Sequence, residues 1–139
     1  MREYKEADRP HLWKVLEAVR KKDGIVLLRP PGGGIKHFSF VAVSRGKLVG
    51  FATVKQPEKN SAGYLTLAMH PKYRSPLFSL EISKAALRKA AEAGITDIRA
   101  ITMKNLTHVV EGLTILGFKL HEESSLQETH VEYRLTVKK

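Results

Sequence analysis

The chain contains 139 residues and has a formal net charge of +10, from 24 Lys and Arg against 14 Asp and Glu. It has no cysteine, which excludes disulfides and thiolate catalysis, and its apolar runs are too short for a membrane span or a signal peptide. We therefore expect one globular domain, residues 1–139, located in the cytoplasm and without a membrane partner.

Predicted strands and helices alternate along the chain. In chain order they are a strand Arg2–Lys5, a helix from Asp8 to Gly24, strands Phe38–Val43, Lys47–Val54 and Tyr64–Met69, a helix Ser79–Ala93, a strand Ile95–Met103, a helix Thr107–Leu116, and strands Phe118–Glu122 and Glu132–Val137. The helices follow the spacing of apolar residues and the positions of glycine stops. Strands that alternate with single helices predict an α/β (mixed α+β) domain, in which helices cover a mixed sheet.

Residues with special backbone preferences mark several boundaries. Asp8 is predicted to cap the first helix, with Pro10 in its first turn. Gly46 suits the positive φ of the turn between the second and third strands. The segment Pro30–Gly34 is expected to be a mobile connection, and a position at the mouth of a substrate site is the less favoured alternative. Trp13 is expected to pack in the core or to shield a helix face.

The segment His70–Ser83, HPKYRSPLFSLEIS, predicts a turn between a strand and a helix. Ser75 is a favourable N-cap, and Pro76 is a favourable first helical residue. A helix start offers unpaired amides and the positive end of the helix dipole to a phosphate. The amides at this helix start are those of Ser75, Leu77, Phe78 and Ser79. Lys72 and Arg74 add positive charge, although any capped helix after a turn gives a similar pattern.

At this point the chain resembles the GNAT-type N-acetyltransferases. The resemblance rests on Leu67–Arg74 (LAMHPKYR), a helix, Gly94-Ile, a strand, Asn105, a further helix and Leu116-Gly-Phe. The opening of the chain, REYKEADRPHL, is similar to the first strand and helix of that family. The resemblance covers nearly the whole chain and marks it as a divergent member.

The resemblance implies a single GNAT-like domain with a mixed, mostly antiparallel sheet and helices on both faces. Two of its strands, Tyr64–Met69 and Thr96–Met103, splay apart to hold acetyl-CoA as co-substrate. The pantetheine arm then pairs with the backbone of the first strand, the pyrophosphate lies on the turn, and Asn105 contacts the arm or the adjacent backbone. The implied cofactor-binding residues are Leu67, Ala68, Met69, Arg74, Ser75, Leu77, Phe78, Ser79 and Asn105.

Two positions depart from the family pattern. The family turn has small residues where this chain has Leu77 and Ser79, and the side chain of Leu77 either fills the phosphate space or rotates into the core. The family's usual tyrosine, which is the general acid towards the CoA sulfur, corresponds to Leu113, and leucine donates no proton. Candidate replacements are His70, Tyr73, His108 and Glu111, although a surface or packing role is the commoner one for each of them. His70 is the best placed, because it lies near the splayed strands.

Two functions remain open from the sequence. The first is direct acetyl transfer from acetyl-CoA to an amine on a small molecule or a protein. The second is a catalytically degenerate module that binds CoA or nucleic acid without turnover. The basic first part of the chain, with 15 Lys and Arg against 6 Asp and Glu in residues 1–80, favours an anionic partner, but no aromatic-basic interleaving favours nucleic acid. The histidines lack metal-site spacing, so we expect no metal, and a homodimer is left open.

Overall fold

The computed structural model describes residues 1–24, 30, 34–59, 61–103, 106–121 and 130–137, with only the backbone described at 103, 108 and 130. Asn105 lies outside these ranges. Among the described residues, none of the helices is long and apolar enough to cross a membrane.

The described strands form one seven-stranded sheet in the order β1-β2-β3-β4-β5-β7-β6. The strands are β1 (Arg2–Glu3), β2 (Lys36–Ser44), β3 (Lys47–Gln56), β4 (Gly63–Met69), β5 (Asp97–Met103), β6 (Lys119–Leu120) and β7 (His130–Thr136). Neighbouring strands run antiparallel except β4 and β5, which are parallel. This architecture confirms the predicted mixed, mostly antiparallel sheet.

Three helices complete the fold: α1 (Arg9–Asp23), α2 (Pro76–Glu92) and α3 (Thr107–Ile115). Short 3-10 turns, Glu6–Asp8 and Pro71–Tyr73, precede α1 and α2. The helices lie close to their predicted positions, although α2 begins three residues earlier than predicted, at Pro76.

The two faces of the sheet carry separate apolar cores, because successive residues of a strand point to opposite faces. On one face, α1 packs its buried residues against Val41, Phe51 and Ala68. Those α1 residues are Leu12, Val15, Leu16 and Val19. On the other face, Ala52 and Val54 meet α2 and α3 through a larger cluster. Helices therefore cover both faces, as predicted.

The turn between β2 and β3 follows its predicted chemistry. Arg45 and Gly46 both adopt positive φ, 51° and 75°, which is the conformation that a two-residue hairpin turn requires. Further along the hairpin, Ala42 lies opposite Gly50 while Val43 lies opposite Leu48, so β3 carries one extra residue as a β-bulge.

Asp8 occupies the position before α1, but its predicted capping role is wrong. Its carboxylate accepts the backbone N–H of Lys5 at 2.8 Å and pairs with both terminal nitrogens of Arg2 at 2.8 and 2.9 Å. The physical reason is backbone conformation: Asp8 is already helical (φ −76°, ψ −20°), whereas a capping residue needs an extended backbone to turn its side chain onto the helix. Asp8 instead closes the preceding 3-10 turn.

Trp13 lies on the outer side of α1 rather than in the core. Its side chain is 39% exposed, and the guanidinium of Arg20 lies 5.9 Å from the ring centroid. Of the two predicted roles for Trp13, shielding of a helix face is the one that the structure supports.

Candidate functional site

Strands β4 and β5 separate shortly after they begin. Only two residue pairs join them, Gly63 with Ile98 and Tyr64 with Arg99. Beyond these pairs, β4 continues to Met69 along β3, while β5 continues to Met103 along β7. The predicted splay is therefore present, and it leaves an open gap in the middle of the sheet.

Backbone hydrogen-bonding groups of β4 line this gap. The amide of His70 donates to the carbonyl of Val49 at 2.8 Å, which fixes the alternation of the β3–β4 ladder. Ala68 consequently directs its N–H and C=O groups to Phe51 in β3. Leu67 and Met69 direct theirs into the gap, where no described strand pairs with them. Of the three residues predicted to pair with the pantetheine arm, Leu67 and Met69 thus face the gap and Ala68 does not.

Gly50 of β3 allows the close approach of β4 beside the gap. It lies opposite Met69 in the ladder. A Cβ atom at this position would lie 2.7 Å from the carbonyl oxygen of Ala68 and would also meet the Met69 sulfur. The glycine is therefore required by packing and fixes the position of the β4 backbone.

The start of α2 stands at the open end of the gap. Ser75 has an extended backbone and makes no side-chain cap hydrogen bond, and Pro76 is the first helical residue. The amide of Ser79 donates to the Ser75 carbonyl at 2.9 Å, so it is not available to a ligand. The first-turn amides of a helix have no partner within the helix, and no described residue accepts a backbone hydrogen bond from Leu77 or Phe78 outside it. Within the described part of the chain, these two amides are available.

The side chain of Leu77 points into solvent. It is 81% exposed, so it does not pack in the core. Phe78, in contrast, is half-buried and packs against the core on the α2 side of the sheet. The helix start therefore has the geometry of an anion site, and the gap extends from it along β4.

No protein-family model matches this chain, and no curated protein matches its sequence. Solved structures do match. An acetyltransferase of the GNAT family from Streptococcus pneumoniae superposes with a TM-score of 0.79 at 14% identity, over 98% of both chains. This chain has the GNAT acetyltransferase fold.

Two further structures support the same fold. The protein yncA from Salmonella typhimurium, described as a proposed acetyltransferase and solved with acetyl-CoA, matches with a TM-score of 0.78 at 10% identity, over 99% of this chain and 93% of that one. The ribosomal-protein-alanine N-acetyltransferase from Brucella melitensis matches with a TM-score of 0.73 at 15% identity, over 98% of both chains. At these identities the likeness concerns the fold.

Arg74, predicted to face a phosphate in the GNAT fold, forms an ion pair with the end of α1. Its two terminal nitrogens lie 2.6 and 3.2 Å from the two carboxylate oxygens of Asp23. Asp23 is the last residue of α1, where the negative end of the helix dipole disfavours a carboxylate. The guanidinium offsets this and ties the end of α1 to the turn before α2. No local signal in the sequence indicates a pair of residues that are 51 positions apart.

His70, predicted as a catalytic candidate, has a structural role in the turn. Its Nδ1 accepts the amide of Lys72 at 3.2 Å, and its ring makes an edge contact with Tyr73 at 5.6 Å between centroids. Burial, with the nearby cations Lys47, Lys72 and Arg74, lowers the pKa of His70. A lowered pKa favours the neutral imidazole, and an Nδ1 that accepts a hydrogen bond leaves the ring proton of that form on Nε2.

The other residues named for the predicted site are either exposed to solvent or buried in the core. Tyr73 is 37% exposed beside His70, and Glu111 is exposed on α3. Leu113, the position of the family tyrosine, is buried in the core beside the sheet. Asn105 and the side chain of His108 lie outside the described residues. In the described part of the chain, the structure brings Leu67, Met69 and the start of α2 together around one gap.

A cleft of about 370 Å³ lies at the opposite end of the sheet. Lys36, Gln56 and Lys59 contribute to its walls, together with the residues that directly follow α2, from Ala93 to Asp97. Helix C-termini carry negative partial charge, so this cleft does not have the chemistry of the phosphate site. We place the candidate site at the β4–β5 gap.

The sequence interpretation did not identify the charged residues on β5 and β7 as a possible part of the site. Asp97 and Arg99 lie two residues apart on β5, and Glu132 and Arg134 lie two residues apart on β7. Spacing of two places each pair on one face of the sheet. This alternation was visible in the sequence, but the cross-strand neighbours became clear only with the register.

Proposed function

We propose that this protein binds acetyl-CoA in the β4–β5 gap and transfers the acetyl group directly to an amine. The observation that carries the proposal is the continuity of the site: the backbone groups of Leu67 and Met69 face the gap, and the free amides of Leu77 and Phe78 stand at its open end. A ligand that is an extended chain with a polyphosphate at one end fits this order of backbone groups along the gap.

Each part of the site would bind a different part of the cofactor. The amide-bearing pantetheine arm would pair with Leu67 and Met69 as an additional strand pairs with an edge. The pyrophosphate would accept hydrogen bonds from Leu77 and Phe78 at the positive end of α2, with Lys72 nearby. When bound, the cofactor supplies a thioester whose acyl group is transferred to the amine.

The chain's own contribution to the reaction would be positioning. Leu113 is buried and donates no proton, so the transfer lacks a side-chain acid at that place. A positioned acid contributes roughly 10²–10⁴-fold, whereas orientation of two reactants contributes more, up to about 7–11 kcal/mol. We therefore expect slow turnover that rises with pH, because only the neutral amine attacks.

Isothermal titration tests cofactor binding. We expect CoA to bind and pantetheine, which lacks the phosphates, to bind much more weakly. The absence of binding at millimolar CoA would refute the proposal. Turnover is then measured by release of the CoA thiol in the presence of amines, and the absence of cysteine in the chain removes the background of that assay.

Binding without turnover is the second candidate, and the buried Leu113 is the observation that favours it. CoA binding together with no thiol release for any amine would support this candidate. A salt-sensitive retardation of nucleic acid would extend it to a nucleic-acid partner. Analytical ultracentrifugation tests the homodimer.

A further inference from the structure

A row of polar and basic side chains crosses the sheet on the face that carries α1. Tyr64 shares this face with Ala68, four residues further along β4, and Ala68 contacts α1. Residues paired directly across strands have side chains on the same face, about 5 Å apart. The successive pairs are Lys55 with Tyr64, Tyr64 with Arg99, Arg99 with Arg134, and Arg134 with Lys119.

The row concentrates positive charge beyond what folding needs. Arg99 lies directly opposite Arg134, and Lys119 follows on the next strand; like charges in such positions are destabilising. Asp97 contacts Arg99 at 3.2 Å, and Glu132 contacts Arg134 at 2.6 Å. Three adjacent cations are therefore matched by two carboxylates, which leaves the row with one excess positive charge, on the side of the edge strand β6.

Both arginines retain unused hydrogen-bond donors within the described part of the chain. Arg99 uses one terminal nitrogen on Asp97, and its Nε is buried without a partner. Arg134 uses its Nε on Glu132, which leaves its terminal nitrogens available. The side chains are 28% and 38% exposed, so a ligand can reach them. The planar donor geometry of a guanidinium matches a carboxylate.

The row lies at the closed end of the β4–β5 gap. Tyr64 and Arg99 form the last pair before the strands separate. A chain that enters at the start of α2 and runs along β4 past Met69 and Leu67 reaches Tyr64 after five residues, or roughly 17 Å at the rise of a strand. The reactive end of such a chain would therefore lie near Arg99 and Arg134.

We propose that Arg99 and Arg134 bind a carboxylate of the acceptor, so that the acceptor is an amine that also carries a carboxylate. This inference rests on the proposed function and names its substrate class. In the reaction, the amine nitrogen forms a bond to the acyl carbon as the carbon–sulfur bond breaks. One proton of the amine ends on the sulfur, so the products are an amide and the CoA thiol. The same row repels polyamines.

Matched acceptors test the proposal in the thiol-release assay. 5-Aminopentanoate, pentylamine and 1,5-diaminopentane share one chain length and differ in the charge of the far end. The peptides Ala-Asp-Glu and Ala-Asn-Gln, both amidated, form a second pair that separates an acidic peptide from an amino acid. We expect the carboxylate-bearing member of at least one set to exceed its neutral partner in kcat/KM by about tenfold or more, the size of a charge-assisted contact, with the diamine lowest.

Variants test whether the preference for carboxylate-bearing acceptors depends on the basic row. Arg99→Gln should remove most of the preference and leave CoA affinity unchanged, and the fold should tolerate it because its partner Asp97 is 53% exposed. Lys119→Gln, at the exposed end of the row, should reduce the preference less. Arg88→Gln, on the exposed surface of α2, is the matched control and should have no effect. Thermal melts check folding of each variant.

The outcomes separate this inference from the proposed function. Intact CoA binding with equal use of neutral, cationic and anionic amines, or a preference that survives Arg99→Gln, would overturn the inference and leave the function standing. Loss of CoA binding would refute the function. In that event, titration of the cofactor-free protein with 5-acetamidopentanoate still tests the row. If the row is a carboxylate site, this compound binds the parent protein and does not bind Arg99→Gln; no binding to the parent would overturn the inference.

Discussion

Replacement of Leu77 by glutamate should change stability and cofactor affinity in opposite directions. Leu77 is the second residue of α2 and is 81% exposed, so the substitution leaves the core intact. A carboxylate in the first turn of a helix interacts favourably with the dipole by about 0.3–1 kcal/mol. The free energy of unfolding should therefore be equal to that of the parent or slightly higher.

The same carboxylate should repel a pyrophosphate bound at the helix start. A single charge about 8 Å from two negative charges raises the free energy of the complex by about 1–2 kcal/mol at an effective dielectric constant of roughly 40–80. CoA should consequently bind roughly 5–30-fold more weakly. Leu77→Gln is the matched control, because it has the same shape without the charge, and it should bind CoA like the parent protein.

Calorimetric titration with CoA, combined with urea unfolding, measures both quantities. The difference between the Glu and Gln variants should shrink at about 1 M salt, where the screening length is roughly 3 Å. If Leu77→Glu binds CoA as tightly as Leu77→Gln at low salt, no phosphate lies at this helix start. If Leu77→Ala tightens binding by about tenfold or more, the leucine obstructs the site despite its exposure.

Three further substitutions probe the scaffold around the site. Gly50→Ala should destabilise the protein by about 1–3 kcal/mol in urea unfolding, because the added Cβ meets Ala68; an unchanged midpoint would contradict this. Asp8→Asn should lower stability by about 1 kcal/mol near pH 7, a value reduced for the exposure of Arg2. The hydrogen bond from Arg2 lowers the pKa of Asp8, so this contribution is present at neutral pH and is lost as the pH falls through the folded-state pKa. The difference between the two proteins should begin to shrink below about pH 4 and disappear below the folded-state pKa. Leu113→Tyr should overpack the core by about 1–3 kcal/mol without raising kcat, and a large gain in kcat with unchanged stability would show that this position faces the site.

Local signals in the sequence were sufficient for most of the fold. Gly46 marked its hairpin turn because only a positive φ closes a two-residue loop there. The strand Tyr64–Met69 and the helix that follows it were set by strong apolar periodicity. Asp8 was misjudged because a capping residue and a residue that ends a 3-10 turn have the same local composition, and only the backbone angles distinguish them.

Local sequence signals could not predict contacts between segments that are far apart in the chain. The side chain of Arg74 could be assigned to a phosphate from its place in the turn, but its partner Asp23 belongs to the end of α1. The row through Arg99 and Arg134 likewise depends on the register of three strands. Alternation predicted which residues of one strand share a face, whereas the neighbours across strands follow from how the whole sheet is assembled.

The orientation of Leu77 follows from the phase of α2 as the structure shows it. With 100° per residue, the buried positions of α2 centre on a direction roughly 150° away from Leu77, and those positions are Ile82, Ser83, Ala86, Leu87 and Ala90. The predicted helix began at Ser79, so this phase was not extended back to the first turn. Pro76 begins the helix, and the same phase turns Leu77 outward while its amide stays at the helix start. A side chain directed away from the core does not cover the helix start with buried apolar packing, so the departure from the family pattern at Leu77 is compatible with a phosphate site.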